Sequence, residues 1–243
     1  MLIGPQNSST ARTLEANLRS VRAEMAAAAA RAHRTVDSIT LVAVSKGQEA
    51  ALVREAAGLG VADFAESYLQ EALPKMAALR ELAPTWHFIG RLQANKTRAI
   101  AERFDWVHGL DRLKVAERLS AQRPHHAPPL QVCLQVNIAA ATDKAGVEPA
   151  LAPQLAAQVR SLPRLRLRGL MCILPAELDA PGSRGAFAAM RQLLQRINEH
   201  SGGLDGGGLD TLSMGMSADF REAIGEGATL VRIGSAIFGP RLG

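Results

Sequence analysis

The sequence predicts an α/β fold, a single (β/α)8 barrel of the TIM type. Short β-favouring apolar runs alternate with helical patterns, eight such units follow one another, and 243 residues that are 47% hydrophobic can close one barrel. Strands are expected at 39–45, 61–65, 84–89, 104–108, 130–137, 167–173, 210–214 and 229–233. Helices are expected between them at 49–58, 68–82, 94–102, 111–122, 148–160, 184–199 and 218–226. Repeated strand–helix units imply parallel pairing, and a doubly wound open sheet is the alternative.

The chain starts with a polar segment, residues 1–12, that we expect to be loose, so the single domain is expected at 13–243. Apolar residues then recur at helical spacing: Leu14, Leu18, Val21 and Met25. Charged residues occupy the other faces of this segment. The pattern is typical of an amphipathic helix that packs against the barrel.

Composition argues against several classes of function. The net charge is +5, but the basic residues are scattered and only 4% of residues are aromatic, so no nucleic-acid partner is expected. Cys133 and Cys172 lie in apolar runs without CxxC spacing, which is typical of reduced thiols. The start of the chain does not resemble a signal peptide and no apolar run could span a bilayer, so we expect a cytoplasmic protein. The histidines lack paired ligand spacing, and no metal site is predicted.

The first predicted strand ends in a lysine, Lys46. Barrel active sites lie at the carboxyl ends of the strands, so this amine is expected at the mouth of the barrel, partly removed from water. Desolvation disfavours the ammonium form and leaves an amine that can attack an aldehyde. Gly47 lets the chain turn sharply after it. The structural alternative is a solvated lysine at a strand end.

The second predicted strand is short and has a weak pattern. The third predicted strand contains a histidine, His87, and is followed by a polar segment. A histidine inside a strand is more often a hydrogen-bonded core residue than a base, and we favour that interpretation here. The segment from Arg91 to Lys96 is basic and rich in amides, and is expected at the same mouth, where it would attract anions. The whole run from Trp86 to Lys96 contains one glycine, Gly90, and its spacing to the lysine excludes a Walker loop.

The last two strands lead into turns suited to phosphate. Strand seven runs into Ser213-Met214-Gly215-Met216-Ser217, where Ser217 is expected at a helix N-cap beside backbone N–H groups. Strand eight runs into Arg232-Ile233-Gly234-Ser235, and alternation places Arg232 and Gly234 on one face. An aldehyde-reactive lysine combined with a phosphate cradle indicates a pyridoxal phosphate site. A plain helix cap and a core salt bridge are the structural alternatives for Ser217 and Arg232.

Several motifs together resemble the pyridoxal phosphate homeostasis protein family, also called the proline synthetase co-transcribed homologues. They are Val44-Ser45-Lys46, Phe64-Ala65-Glu66-Ser67 with Gln70-Glu71, Trp86-His87-Phe88-Ile89-Gly90 with Gln93 and Asn95-Lys96, Gly169-Leu170-Met171, Leu212 to Phe220 and Val231 to Gly239. The resemblance runs from about residue 39 to the C terminus. It implies a barrel like the N-terminal barrel of alanine racemase, a fold-type III protein without the second β domain. It also implies pyridoxal 5′-phosphate carried on Lys46, with a role in vitamin B6 supply and no established reaction.

The resemblance implies a carrier in which Lys46 holds the aldehyde as a Schiff base and releases it to apo-enzymes. Ser217, Gly234 and Ser235 would hold the phosphate, while Arg232 would neutralise charge at either the ring nitrogen or the phosphate. The remaining residues expected near the cofactor are Met214, Ser213, Ser67 and His87. Two positions depart from the family pattern: Ser67 stands where an asparagine is usual, and Arg91 where a histidine is usual.

Two enzymatic alternatives stay open. Alanine racemases use the lysine together with a tyrosine from a second domain of a partner subunit, whereas the one tyrosine here is Tyr68. No second domain is expected, so catalysis is not expected, a low-efficiency racemase is the runner-up, and a monomer is expected. A phosphate-sugar enzyme, in which Lys46 touches substrate without a cofactor, is the more remote alternative.

Overall fold

The computed structural model describes residues 5–140, 145–200 and 207–239, and contains a closed parallel barrel of eight strands in sequential order. The strands are β1 Thr40–Val44, β2 Asp63–Glu66, β3 Thr85–Phe88, β4 Trp106–Leu110, β5 Leu130–Gln135, β6 Leu165–Met171, β7 Thr211–Ser213 and β8 Leu230–Ile233. Strand β1 pairs with β8, with Val42 opposite Arg232. This closure confirms the predicted barrel and excludes the open sheet.

Helices cover the outside of the barrel. They are α1 Pro5–Arg31, α2 Ala50–Gly58, α3 Leu69–Ala78, α4 Thr97–Arg103, α5 Leu113–Gln122, α6 Ala152–Arg160, α7 Ala180–His200, α8 Phe220–Gly225 and α9 Ser235–Phe238, with 3-10 turns at Val36–Ser38 and Arg80–Leu82. Helix α4 begins three residues later than predicted because the Lys96 N–H bonds the Gln93 carbonyl in a turn at 2.9 Å. Within the described ranges no helix is both long and apolar enough to cross a membrane.

Helix α1 packs on the outside of the barrel, against helices α8 and α9. Its predicted apolar face is buried: Leu14, Leu18, Val21 and Met25. The Asn17 side-chain amide donates to the Ile237 carbonyl at 2.9 Å, so α1 anchors α9. Helix α1 begins at Pro5, inside the segment 1–12 that was expected to be loose, and residues 1–4 lie outside the described part of the chain. The looseness of that segment therefore stays a prediction.

The interior of the barrel is unusually polar. Barrels of this type are normally filled by branched aliphatic side chains. Here the small apolar cluster of Val42, Ala65 and Leu230 is separate from the main core between sheet and helices. Much of the remaining interior is polar, and includes the fully buried His87 and His108. Buried polar groups persist only when they are hydrogen-bonded, so the interior calls for a functional explanation.

Candidate functional site

A cavity of about 390 Å³ opens where β1 and β8 end. Its walls are Val44, Lys46, Gln48, Ser67, Ile89, Ile173, Met216, Ser217, Ala218, Arg232, Gly234, Ser235 and Gly239. Six of the nine residues predicted for the site are among them. The other three, Met214, Ser213 and His87, do not line the cavity. Met214 is fully buried in the core between sheet and helices, and Met216 reaches the cavity in its place.

Lys46 follows β1 directly, in a turn that is fixed on both sides. Before it, the Ser45 hydroxyl donates to Glu66 Oε1 at 2.6 Å, and the Ser45 N–H donates to the Ala65 carbonyl at 3.0 Å. After it, Gly47 has a φ of 74°, and its N–H donates to Glu71 Oε2 at 2.7 Å. A positive φ favours glycine, which explains Gly47 at this point. The backbone of Lys46 is thereby held, and its half-buried side chain reaches the cavity.

A buried ion pair lies behind this turn. Lys75 Nζ, on α3, donates to Glu66 Oε1 and to the Ser45 carbonyl, each at 2.7 Å. Glu66 is fully buried and the Lys75 side chain is 8% exposed. Burial raises the pKa of Glu66, while the hydrogen bonds from Lys75 and Ser45 act in the opposite direction. We did not predict this clamp of Glu66 and Lys75, because no local pattern joins a helix lysine to the end of β1.

The two late turns meet at the wall of the same cavity. Ser217 Oγ lies 3.2 Å from Ser235 Oγ and accepts a bond from the Ala236 N–H at 3.4 Å. A Cβ added to Gly234 would lie 3.2 Å from the Val44 carbonyl oxygen, so glycine leaves space beside β1. The two hydroxyls and this space lie together where the phosphate cradle is predicted, and its role in binding stays a prediction.

The predicted N-cap role of Ser217 is wrong. Helix α8 begins at Phe220, with Asp219 as its N-cap residue. The Asp219 carboxylate accepts the Met216 N–H at 2.6 Å and so braces the turn. Gly215 has a φ of 93°, and a Cβ there would lie 2.6 Å from the Ala223 Cβ, so both conformation and packing require glycine. This loop therefore directs the Ser217 side chain toward α9 and the cavity.

Arg232 also lines the cavity and is buried. It is 3% exposed, and its Nη1 and Nη2 donate to Ser213 Oγ and to the Cys172 carbonyl, each at 2.8 Å. Burial lowers the pKa of the guanidinium, against which Cys172, Asp219 and Cys133 act. Burial also raises the pKa of the Cys133 and Cys172 thiols to about 12, so both stay protonated near neutral pH.

Ser213 connects Arg232 to two buried histidines. Ser213 Oγ lies 2.7 Å from His108 Nδ1, and His108 Nε2 lies 2.9 Å from His87 Nδ1. His87 Nε2 in turn lies 2.9 Å from Asp63 Oδ1. His87 is therefore a buried histidine with both ring nitrogens bonded, in agreement with the core interpretation. We did not predict His108 as a site residue. The available signal was strand alternation, which places His108 on the same face of β4 as Trp106, two residues earlier.

The burial of His108 predicts an acid-dependent loss of stability. Desolvation, then the charges of His87 and Arg232, lower the pKa of His108 well below 6.5. The unfolded chain takes up a proton below about pH 6.5 and the folded state does not, so the free energy of unfolding falls as pH falls through that region. For this one group, the free energy of unfolding changes by at most about 1.4 kcal/mol per pH unit. Urea unfolding should show a smaller slope in His108→Gln than in the wild type, and equal slopes would contradict the assignment.

Comparisons with known proteins agree with this geometry. The sequence matches the family described as alanine racemase, N-terminal domain, over residues 12–241. It is 52% identical over 229 residues to the pyridoxal phosphate homeostasis protein of Pseudomonas aeruginosa, covering 94% of this chain and 96% of the relative. The solved structure of PipY from Synechococcus elongatus with PLP bound is 36% identical, with a TM-score of 0.81, and the match covers 93% of this chain and all of PipY.

A Clostridium difficile alanine racemase shares the fold alone. It is 12% identical with a TM-score of 0.71, and the match covers 96% of this chain and 58% of the racemase. The family match, by contrast, spans nearly the whole chain, and the bacterial relatives share about half of its residues over nearly their full length. The chain therefore belongs to the alanine racemase N-terminal domain family and, within it, to the pyridoxal phosphate homeostasis proteins.

Proposed function

We propose that the protein binds pyridoxal 5′-phosphate in the cavity, holds it as a Schiff base on Lys46 and supplies it to apo-enzymes in the cytoplasm. The observation that carries the proposal is the make-up of the site: one cavity is lined by a lysine amine and by two serine hydroxyls beside a glycine. Its volume of about 390 Å³ lies within the range of about 300–1,000 Å³ that is usual for small-molecule pockets.

The residues fit the cofactor. When bound, pyridoxal 5′-phosphate supplies an electrophilic aldehyde and, if its ring nitrogen is protonated, an electron sink. Lys46 Nζ would attack the aldehyde carbon, a C=N bond would form and the carbonyl oxygen would leave as water, so that hydrolysis reverses the link. Ser217 and Ser235 would donate their hydroxyl hydrogens to the phosphate, in the space that Gly234 leaves.

We assign Arg232 to the ring nitrogen rather than to the phosphate. Its guanidinium is directed at Cys172 and Ser213, on the β6 and β7 side, whereas the cradle of Ser217 and Ser235 lies beyond the end of β8. Arginine only donates hydrogen bonds, so it leaves the ring nitrogen unprotonated and weakens the electron sink. This arrangement supports a carrier over a racemase.

A racemase would need a tyrosine at the cavity, and none of the described residues that line it is a tyrosine. Tyr68, the only tyrosine of the chain, is 56% exposed and does not line the cavity. Support for the carrier also comes from the relatives, which are named for pyridoxal phosphate homeostasis, and from PipY, whose structure holds PLP. The monomeric state expected from the resemblance belongs to the same proposal.

The role of the cradle is tested by omitting the phosphate. Purified protein titrated with pyridoxal 5′-phosphate should develop a yellow band that saturates near one cofactor per chain. Pyridoxal has the same aldehyde without the phosphate and should bind at least about tenfold more weakly, because it loses hydrogen bonds to a charged group. Equal affinity would contradict the cradle, and the absence of any band would favour a phosphate-sugar enzyme.

Supply is tested in the same series. Loaded protein should restore activity to an apo-enzyme in the presence of a small scavenging amine, at an amine concentration that prevents free pyridoxal 5′-phosphate from doing so. If loaded protein and free cofactor are equally sensitive to the amine, the protein does not protect the aldehyde.

A further inference from the structure

An unbroken chain of hydrogen bonds crosses the barrel interior from the cavity to the opposite end. It joins Arg232, Ser213, His108, His87 and Asp63 in that order, through distances of 2.8, 2.7, 2.9 and 2.9 Å. We call these five residues the relay. Ser213 and both histidines are fully buried, and Asp63 is the first residue of β2. The Asp63 side chain is 22% exposed and lines a second cavity of about 260 Å³.

The two ends of the relay fix the direction of every bond within it. The Asp63 carboxylate only accepts, so His87 Nε2 carries a hydrogen and donates to it. In a neutral ring His87 Nδ1 then accepts, so His108 carries its hydrogen on Nε2 and donates to His87 Nδ1. The neutral His108 accepts at Nδ1 from the Ser213 hydroxyl, and Ser213 Oγ accepts from Arg232, which only donates. One arrangement with two neutral rings therefore satisfies all four bonds.

Packing does not explain the relay. An interior of branched aliphatic residues would close the barrel without burying two imidazoles and a guanidinium. Among the five members, Arg232 alone lines the main cavity. Hydrogen bonds in a chain polarise one another, so the bond that His108 accepts makes Ser213 Oγ a better acceptor for Arg232. The relay thus acts on the main cavity through the Arg232 side chain.

We propose that the relay positions Arg232, with Asp63, His87, His108 and Ser213 as positioning residues. Asp63, at the far end of the barrel, sets the tautomers of both histidines and thereby the direction of the Ser213 hydroxyl. Ser213 and the Cys172 carbonyl together hold the guanidinium in one orientation against the cavity. The consequence for pyridoxal 5′-phosphate rests on the function proposed above, whereas the hydrogen-bond order does not.

The critical variant is Asp63→Asn. Asparagine has nearly the same shape, but it can present either an acceptor or a donor to His87, so the direction of the chain is no longer fixed. Asp37→Asn is the matched control, because Asp37 lines the same second cavity and lies outside the relay. Ser213→Ala removes the acceptor of Arg232.

The first measurement uses protein without cofactor. Nitrogen-15 NMR of the side chains should show His87 and His108 as neutral Nε2–H tautomers and the Arg232 guanidinium with restricted rotation. Asp63→Asn should introduce Nδ1–H tautomers and free that rotation, whereas Asp37→Asn should change neither. An Nδ1–H tautomer or an imidazolium at either ring of the wild type at neutral pH would overturn the proposal. So would identical spectra for the two aspartate variants.

The second measurement is the affinity for pyridoxal 5′-phosphate and the pH at which its bound spectrum changes. Ser213→Ala should weaken binding roughly tenfold and Asp63→Asn roughly threefold, both with a shifted spectral midpoint, while Asp37→Asn matches the wild type. Unshifted midpoints in both relay variants would reject the positioning role. If the wild type binds no cofactor, the proposed function is wrong. The NMR result alone then tests whether the relay positions Arg232. If Ser213→Ala does not fold, Asp63→Asn decides it.

Discussion

Lys46→Ala should take up pyridoxal 5′-phosphate without forming the yellow band, and its affinity should fall by about a hundredfold. The reason is the covalent link: Lys46 is the one lysine among the described residues that line the cavity, and both neighbouring residues are held to β2 and α3. The fold should survive, because the Lys46 side chain is only half-buried. Absorbance titration and circular dichroism measure the two outcomes.

Lys96→Ala is the control for this experiment. Lys96 belongs to the basic segment after β3, which was expected at the same mouth, and it does not line the cavity. It should bind the cofactor like the wild type. A second buried amine, Lys75, is held by Glu66 and by the Ser45 carbonyl and is not expected to replace Lys46. A yellow band of normal strength in Lys46→Ala would show that another amine carries the aldehyde.

Lys75→Met should be the most destabilising of the substitutions considered. It removes the charge partner of a fully buried carboxylate and the donor that the Ser45 carbonyl uses. Removal of one member of a buried pair costs about 3–5 kcal/mol, because the remaining charge has no partner. Urea unfolding should show this loss in the free energy of unfolding, and weaker cofactor binding should accompany it, since Ser45 adjoins Lys46.

A double-mutant cycle separates the pair from its surroundings. Glu66→Gln removes the charge of the carboxylate while keeping an acceptor for Ser45. The double variant with Lys75→Met should be more stable than the sum of the two single losses predicts, because no uncompensated charge remains. Strict additivity of the two losses would mean that the ion pair does not hold the turn.

The barrel and several residues that line the cavity could be predicted because their signals are local. Strand–helix alternation can be identified directly in the sequence. A lysine at a strand end and a glycine-centred turn can each be recognised within a few residues. Lys46, Ser217, Gly234 and Ser235 were found in this way, and all four line the cavity. Alternation also placed Arg232 and Gly234 on one face, and both line the cavity.

The remaining features depend on three-dimensional register. Met214 follows the inward-facing Ser213 and therefore turns to the outer core, which strict alternation could have indicated. The clamp of Glu66 and Lys75 joins a strand to a helix that only the fold brings together. The contact of His108 with Ser213 spans 105 positions of the sequence. No spacing within one segment encodes such a contact, so the relay became visible only in the closed barrel.

The central claim is a covalent bond at one amine, and borohydride reduction tests it most directly. Wild-type protein saturated with pyridoxal 5′-phosphate, reduced, digested and mapped by mass spectrometry should carry one label per chain, on the peptide that contains Lys46. Pyridoxal 5′-phosphate that is bound and yet leaves no label, or a label concentrated on another lysine such as Lys75 or Lys96, would contradict the account.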